Sequence, residues 1–295
     1  AVIVNDGQVI GIGHHRKYGG LHAEREALAE CRRRGSDPRG ATAYVTLEPC
    51  CHHGKQPPCT DALIESGIAH VIAARRDPNP VSGGGADVLH RAGIPCEFTE
   101  ASPLATRLSD PFIKRITTGL PWVIAKWAQT RDGRLVTTPG EPRWISGEVS
   151  RRRVHRLRAR VDAVLTGMGT VIADDPRLTA RDVPRLRRIA RRVVLDTSLN
   201  LPPFSNLART ARETPILAIC SEAALSSPGI APRRAALERM GVQIAAIPDK
   251  GQGLDLIAAL RMLADQYSAS TVLLECGPRL LGSMFGLDLI DECLI

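Results

Sequence analysis

"TLEPCCHHGKQPPC", residues 46–59, is the stretch on which the fold turns. It leaves the end of "ATAYVTL" (41–47), which reads as a strand, and runs into "TDALIES" (60–66), a helix stopped by Gly67. Glu48-Pro49-Cys50 therefore sits at a strand end, and Cys59 at a helix start. Ligands at such ends can converge on one point. Unpaired N–H groups at a helix N-terminus favour thiolate over thiol.

Upstream, "HAEREAL" (22–28) opens a second helix, with Ala23, Ala27, Leu28 and Cys31 on its apolar side. Alone it reads equally as a charged first turn. Beside Cys50 and Cys59, however, His22 completes one imidazole and two thiolates, a zinc-binding set. Three protein ligands leave the fourth position for water, which marks a catalytic zinc rather than a structural one. Glu24 lies next to the ligand without binding the metal and is free to carry protons; Glu26 reads as surface charge. The pattern approaches the H-x-E…P-C-x-x-C signature of zinc nucleobase deaminases. It departs in two ways: eight residues, not two, separate Cys50 from Cys59, and Cys51 is an adjacent thiol able to compete as ligand.

The other cysteines fit this reading. Of eight, Cys31, Cys96, Cys220 and Cys276 sit in apolar or helical contexts and read as small buried hydrophobes. With no secretory pattern in the chain, the 50–59 cluster favours metal over a disulfide framework. The net charge of +8 raises the question of nucleic acid, but the excess lies in "RRRVHRLRAR" (151–160) and "RLRRIARR" (185–192), and aromatic residues make up only 3%. A phosphorylated small molecule or a solvated basic face accounts for it as well, so no nucleic-acid partner is expected. No apolar run approaches the roughly 18 residues of a membrane span. The chain opens on Ala1 inside the apolar "AVIV", so residues are expected to precede it, and "DECLI" reads as a strand cut short.

Along the chain, "AVIV" and "QVIGIG" form a hairpin about Asn5-Asp6-Gly7, and strands at 41–47, 70–74 and 94–98 alternate with helices at 22–34, 60–66 and 87–93. That order predicts a three-layer α/β/α domain over 1–101. Residues 102–121 read as a connecting helix broken by Pro111 and ended by Gly119 and Pro121. A second α/β domain is expected over 122–295. Its strands fall at 122–128, 162–167, 193–196, 215–220, 242–247 and 271–275, its helices near 147–160, 231–240, 254–267 and 278–285, and 197–212 reads as loop. "GPRLLG" (277–282) after the strand "TVLLE" is a glycine-opened turn into a helix start, suited to a pyrophosphate. No G-x-G-x-x-G occurs, so this is no Rossmann fingerprint.

"EPC", "HHG", "PPC" and "DPNP" follow in this order through residue 80, then "KWAQTRDGRL" (126–135), "PRWIS" (142–146), "RLRARVDAVLTGMGTVIADDPRLTAR" (156–181) and "LECGPRLLG" (274–282). Over nearly its whole length the chain thus resembles the bifunctional deaminase/reductase family of riboflavin biosynthesis. The resemblance implies a cytidine-deaminase-like domain followed by a dihydrofolate-reductase-like domain, with Zn2+ and NADPH as cofactors. It implies zinc-dependent deamination of 2,5-diamino-6-ribosylamino-4(3H)-pyrimidinone 5′-phosphate, Glu24 protonating the departing ammonia. NADPH-dependent reduction of the ribosyl group to ribityl would follow.

By position in the family, Ala128, Trp144, Thr170, Asp174, Thr197, Gly277, Pro278, Arg279, Leu280, Leu281, Gly282 and Ser283 should touch the cofactor. Pro142, Arg158, Leu178, Arg181 and Glu275 should hold the phosphorylated substrate, and His52, His53 and Lys55 are candidates for its phosphate in the deaminase half. A cytoplasmic homo-oligomer is expected. Against the family pattern, an N-terminal helix and a Pro-Asn-Pro loop are absent, Pro142 replaces a serine, and Arg131 replaces a leucine. Two rivals make separate demands. A nucleic-acid base deaminase calls for C-x-x-C spacing and no reductase-like half; a structural zinc module calls for Cys51, His52 or His53 as a fourth ligand.

Overall fold

An Asp6-Gly7 turn with both residues in the left-handed region (φ 47° and 75°) closes the first hairpin, as a tight two-residue turn matching the strand twist requires. It joins β1 (Val2–Asn5) to β2 (Gln8–Ile12) in antiparallel pairing. The computed structural model describes residues 1–17, 19–99, 102–135, 145–184, 186, 188–251 and 253–295. The chain divides into two compact units, Ala1–Thr118 and Gly119–Ile295.

In the first unit, β1 also pairs antiparallel with β3 (Thr42–Val45); β4 (His70–Ala73) and β5 (Cys96–Phe98) continue in parallel, giving the order β2-β1-β3-β4-β5. The helices are α1 (Ala23–Arg34), α2 (Cys59–Glu65) and α3 (Gly85–Arg91). α1 buries Glu24, Ala27, Leu28 and Cys31, a single stripe at helical spacing, and ends where Gly35 turns left-handed and returns its N–H to Arg32. Its approach to the sheet is close. A Cβ on Gly13 would stand 2.0 Å from the Ala23 carbonyl oxygen and 2.4 Å from the Ala27 nitrogen. Only glycine lets the start of α1 lie against the end of β2.

The connecting segment is two helices, α4 (Pro103–Arg107) and α5 (Asp110–Thr118). The interruption falls at Leu108–Ser109 rather than at Pro111, which occupies the first turn of α5. There its missing N–H costs no hydrogen bond. Arg75 Nη1 donates to Thr106 O (3.2 Å) and to Asp110 Oδ1 (2.5 Å), tying both helices to the first unit.

The second unit runs β6 (Trp122–Lys126), α6 (Glu148–Arg158), β7 (Ala163–Gly167), α7 (Met168–Asp174), β8 (Arg191–Leu195), α8 (Asn206–Arg209), β9 (Ile216–Ser221), α9 (Glu222–Leu225), α10 (Ile230–Met240) and β10 (Gln243–Ile247). It continues through β11 (Asp249–Lys250), β12 (Gly253–Leu254), α11 (Leu256–Tyr267), β13 (Thr271–Leu274), α12 (Pro278–Gly286) and β14 (Glu292–Leu294). Seven strands form one sheet, β10-β9-β8-β7-β13-β6-β14, every neighbouring pair parallel. Alternate residues feed two cores: Leu165, Val193 and Leu217 belong to one, Val164, Val194 and Ala218 to the other. Burial on both faces explains why these strands read as unbroken apolar runs.

Short elements went unread in the sequence. The 197–212 segment, expected as loop, contains α8, and α7 follows β7 directly. The basic run 185–192 is not simply a solvated face. Arg192 is fully buried and donates to Thr210 Oγ1 (2.7 Å), Thr210 O (3.0 Å) and Thr214 O (2.5 Å). Arg191 lies over the Tyr267 ring (4.4 Å), and Arg188 pairs with Asp162. Of the expected site residues, Pro142 and Trp144 lie outside the described residues.

Gly13→Ala should displace α1 and cost on the order of 1–3 kcal/mol through overpacking. We expect a lower melting temperature for the full chain together with reduced zinc content by metal analysis. An unchanged melt would mean that the sheet yields to the added methyl group.

Candidate active sites

Three elements deliver the metal-ligating side chains of the first unit. His22 is the extended N-cap of α1 (φ −69°, ψ 162°), Cys50 follows β3, and Cys59 is the first residue of α2. His22 Nδ1 lies 3.4 Å from Cys50 Sγ and 3.4 Å from Cys59 Sγ, and the three ligand atoms fall within 4.8 Å of one another. Zinc–sulfur and zinc–nitrogen bonds of about 2.3 and 2.0 Å at tetrahedral angles separate N and S by about 3.5 Å. The donor set therefore fits one zinc ion.

The Cys59 N–H, free at the helix start, donates to Cys50 Sγ at 3.4 Å. Cys50 is held well below the ordinary cysteine range by hydrogen bonding from the Cys59 thiol, which outweighs its burial, with His22 adding in the same direction. Cys59 is pushed up by that same bond and by burial, so it keeps the proton that a cation would displace.

Cys51 does not join the cluster. Its Sγ turns to the carbonyl of Gly83 (3.1 Å), and its N–H donates to Ser82 O (3.3 Å). Among the described residues His22, Cys50 and Cys59 form the metal-binding group, with neither His52 nor His53 in it. The fourth protein ligand demanded by a structural zinc module is absent there. His52 instead carries a buried Nδ1 without a hydrogen-bond partner.

Glu24 lies in the first turn of α1, 9% exposed, and burial raises its carboxyl above the ordinary glutamate value. The ionised form is the one penalised, so the group takes up a proton more readily than an exposed glutamate. Glu26 pairs with Arg16 (3.2 Å) and Arg33 (3.4 Å), as a surface charge should.

Other residues hold the arrangement, and sequence reasoning passed over them. Glu48, 4% exposed, accepts from the Asp77 N–H (Oε2, 3.0 Å) and the Ala86 N–H (Oε1, 2.9 Å), pinning the 77–86 loop beside the ligands. A Cβ on Gly85 would meet the Pro49 carbonyl oxygen at 1.8 Å, so that loop also presses directly on Pro49. Arg25 donates to Pro57 O (3.1 Å) and Pro58 O (2.6 Å), locking α1 to the approach of α2. The His15 ring meets His22 edge-on at 5.4 Å. An acid between a strand end and Pro49 was the available signal for Glu48; nothing in the spacing pointed to Ala86.

In the second unit, a cavity of about 2230 Å³ opens along the C-terminal ends of β6, β7, β8 and β13. A parallel sheet binds ligands at that edge, where strand order reverses. Single-ligand pockets span about 300–1,000 Å³, so this one has room for two. Ala128, Thr170, Asp174, Thr197, Gly277, Pro278, Arg279, Leu280 and Ser283 all line it, as do Arg158, Leu178, Arg181 and Glu275. Leu281 points into the core (7% exposed), and Gly282 is not part of the lining. α12 opens on Gly277 with no side-chain cap, leaving its first N–H groups for a ligand.

Arg158 and Glu275, both expected on the substrate, meet each other in a two-pronged pair, Nε–Oε1 2.6 Å and Nη2–Oε2 2.8 Å, each side chain about one-eighth exposed (13% and 12%). Arg158 Nη1 also reaches Thr179 O at 3.1 Å. His155, beside them, is pushed below the ordinary histidine range by burial and then by Arg158 and Arg181.

Comparison with known proteins gives two family matches, the cytidine and deoxycytidylate deaminase zinc-binding region over residues 1–75 and the RibD C-terminal domain over residues 121–295. The riboflavin biosynthesis protein RibD of Aquifex aeolicus is 38% identical over 296 residues, covering 100% of this chain and 78% of the relative. That of Escherichia coli K12 is 37% identical over 307 residues, covering 100% and 79%. Among solved structures, the Thermotoga maritima diaminohydroxyphosphoribosylaminopyrimidine deaminase/5-amino-6-(5-phosphoribosylamino)uracil reductase superposes with a TM-score of 0.81 at 36% identity, covering 99% of this chain and 77% of that one. Acinetobacter baumannii RibD gives 0.80 at 36% identity with the same coverage.

Replacing each thiol in turn tests the ligand set. Cys50→Ser and Cys59→Ser should each lose bound zinc, whereas Cys51→Ser should retain one zinc per chain by metal analysis. Zinc loss in the Cys51 variant equal to that of the other two would remove the three-ligand assignment.

Proposed function

This chain belongs to the RibD family of riboflavin biosynthesis, and from that premise we infer how its residues divide the family's two reactions. The enzyme is a bifunctional deaminase and reductase that uses zinc and NADPH. We assign the deaminase substrate as 2,5-diamino-6-ribosylamino-4(3H)-pyrimidinone 5′-phosphate, and the reductase substrate as its deaminated product. The enzyme is taken to be a cytoplasmic homo-oligomer; no described helix is long and apolar enough to cross a membrane.

The convergence of His22, Cys50 and Cys59 beside the buried Glu24 carries the first assignment. Zinc held there supplies a Lewis acid that lowers the pKa of a water molecule to about 7. Glu24 does the proton work. Its carboxylate takes a proton at Oε, holds it because burial favours the neutral form, and delivers it to the amine that leaves the pyrimidine ring as ammonia. The 77–86 loop, held by Glu48, and the Arg25 lock on Pro57 and Pro58 keep the ligand-bearing ends from drifting apart. His52, His53 and Lys55 lie on the loop between Cys51 and Cys59, and we offer them as contacts for the substrate's phosphate.

In the second unit, NADPH supplies the two-electron reductant, and the residues provide position. The uncapped start of α12, Gly277 with Pro278 and Arg279, receives the pyrophosphate; Ala128, Thr170, Asp174, Thr197, Leu280 and Ser283 line its surroundings. Arg158 is engaged with Glu275 and Thr179, so we give it the role of orienting the Glu275 carboxylate toward the ribosyl chain. Arg181, exposed on the cavity wall, is then the cation for the 5′-phosphate. Leu178, on the same loop, is 4% exposed and backs the cavity wall from the core.

Glu24→Gln should lower ammonia release by about 10²–10⁴-fold, the usual worth of a positioned acid–base group. Zinc content and NADPH oxidation with pre-deaminated substrate should be unchanged. A chelator should abolish the first activity alone. If Glu24→Gln releases ammonia at the wild-type rate, the assignment of Glu24 is wrong.

The same variant carries a stability signature. The folded-state value of Glu24 is raised, so its contribution is fully present below the ordinary glutamate value of 4.5 and is lost as pH rises through the raised value. Glutamine has no such loss. Melting temperatures of the metal-free chain should therefore favour Glu24→Gln increasingly as pH rises above 4.5 and converge with the wild type in acid.

A further inference from the structure

The loop between α7 and β8 holds three non-glycine residues in left-handed backbone: Asp175 (φ 39°), Leu178 (φ 53°) and Asp182 (φ 55°). Left-handed geometry is costly for any residue with a Cβ, and it persists where surrounding contacts over-determine it. This loop follows directly on Asp174, and its Leu178 and Arg181 line the cavity with that residue.

Its holds can be named. Arg192 Nη1 reaches Arg177 O at 3.4 Å, Arg158 Nη1 reaches Thr179 O at 3.1 Å, and the Arg181 N–H donates to His155 Nδ1 at 3.2 Å. The strongest set lies at the loop's start. Asn206, the first residue of α8, donates its backbone N–H to Asp175 Oδ1 (2.7 Å) and its side-chain amide to Asp175 O (2.8 Å) and Oδ2 (2.8 Å). Both carboxylate oxygens and the carbonyl of one left-handed residue are thus satisfied by a single partner from another element. Both residues stand on the cavity wall.

We propose that Asn206 is a positioning residue of the reductase, whose three hydrogen bonds to Asp175 fix the left-handed turn that leads from Asp174, at the cofactor, to Arg181, at the substrate. This rests on the reductase reading above. Without the clamp, Asp175 and Leu178 relax toward ordinary backbone angles, and the side chains that follow leave the cavity wall. Positioning of this kind acts on binding more than on the chemical step.

The test uses the full chain. Asn206→Ala keeps the backbone donor and removes both side-chain donors. Its KM for the deaminated substrate should rise about tenfold with kcat within about twofold, the size expected when charge-assisted hydrogen bonds are lost. NADPH affinity, read by fluorescence titration without substrate, should weaken several-fold. Asn206→Ala and Asp175→Ala combined should cost less than the sum of the two, because both break the Nδ2–Oδ2 contact. Asn206→Ser, which retains one short donor, should recover part of the KM.

A KM and an NADPH affinity both within twofold of wild type in Asn206→Ala would overturn the proposal. So would equal falls in kcat and kcat/KM that merely track a lower melting temperature. If Asn206→Ala does not fold, Asn206→Ser decides: a raised KM at wild-type kcat supports the clamp, and wild-type KM refutes it. A wild-type chain that fails to oxidise NADPH with deaminated substrate would instead count against the reductase reading, and the NADPH titration of the variants would still judge the clamp.

Discussion

The N–H groups at a helix start must find an acceptor, and this molecule withholds one where chemistry is done. α4, α8, α9 and α11 are closed by their own Ser102, Ser205, Ser221 and Asp255. α1, α2, α6, α7 and α12 start without a side-chain cap, and each start supplies metal ligands or cavity wall. In α2 the open donor is spent on the Cys50 sulfur, so the helix end stabilises the thiolate that the metal needs. The rule has exceptions in the second unit: α10 opens uncapped on Gly229 without lining the cavity, and the capped α8 and α11 line it through Asn206, Asp255 and Leu256. α3 shows the intermediate case: its Ala86 N–H is met by Glu48, a carboxylate from a distant strand end. That one acid serves as helix cap and as brace for the zinc loop.

Two kinds of buried charge follow different rules. Arg192 is surrounded by hydroxyl and carbonyl oxygens and serves packing; burial lowers its pKa to about 10, still charged at neutral pH. Glu24 is left with its carboxyl destabilised as an anion, a poor arrangement for stability and a suitable one for moving protons. Burial alone therefore does not mark a reactive group: it leaves Arg192 charged and pushes Glu24 toward its neutral form.

The sequence made the metal set legible because its chemistry is local. His22, Cys50 and Cys59 lie at element ends that periodicity and glycine stops mark out, and one imidazole followed by two thiolates admits few alternatives. Strands such as β7, β9 and β13 were equally readable as unbroken apolar runs. What could not be read depended on partners far along the chain. Arg158 and Glu275 were each expected on the substrate, yet 117 positions apart they bind one another. Asn206 lay in a segment without pattern because α8 spans four residues, too short for a helical stripe. The second-sphere hold of Glu48 on Ala86 likewise rests on a loop whose path no spacing rule dictates. The basic runs misled by composition: arginines read as a solvated face or a phosphate site include Arg192, which has no exposed surface.

The order of the seven-stranded sheet has a consequence for how the chain is made. β6, the first strand of the second unit to be synthesised, is flanked on both sides by the last two, β13 and β14. Both its ladder edges stay unpaired until ribosomal synthesis reaches Thr271, which at roughly 5–20 residues per second is a delay on the order of ten seconds. The first unit begins with a local hairpin and has no such wait. A nascent chain paused within α10 or α11 therefore carries a naked apolar strand, and chaperone demand during translation should fall on the reductase half rather than the deaminase half.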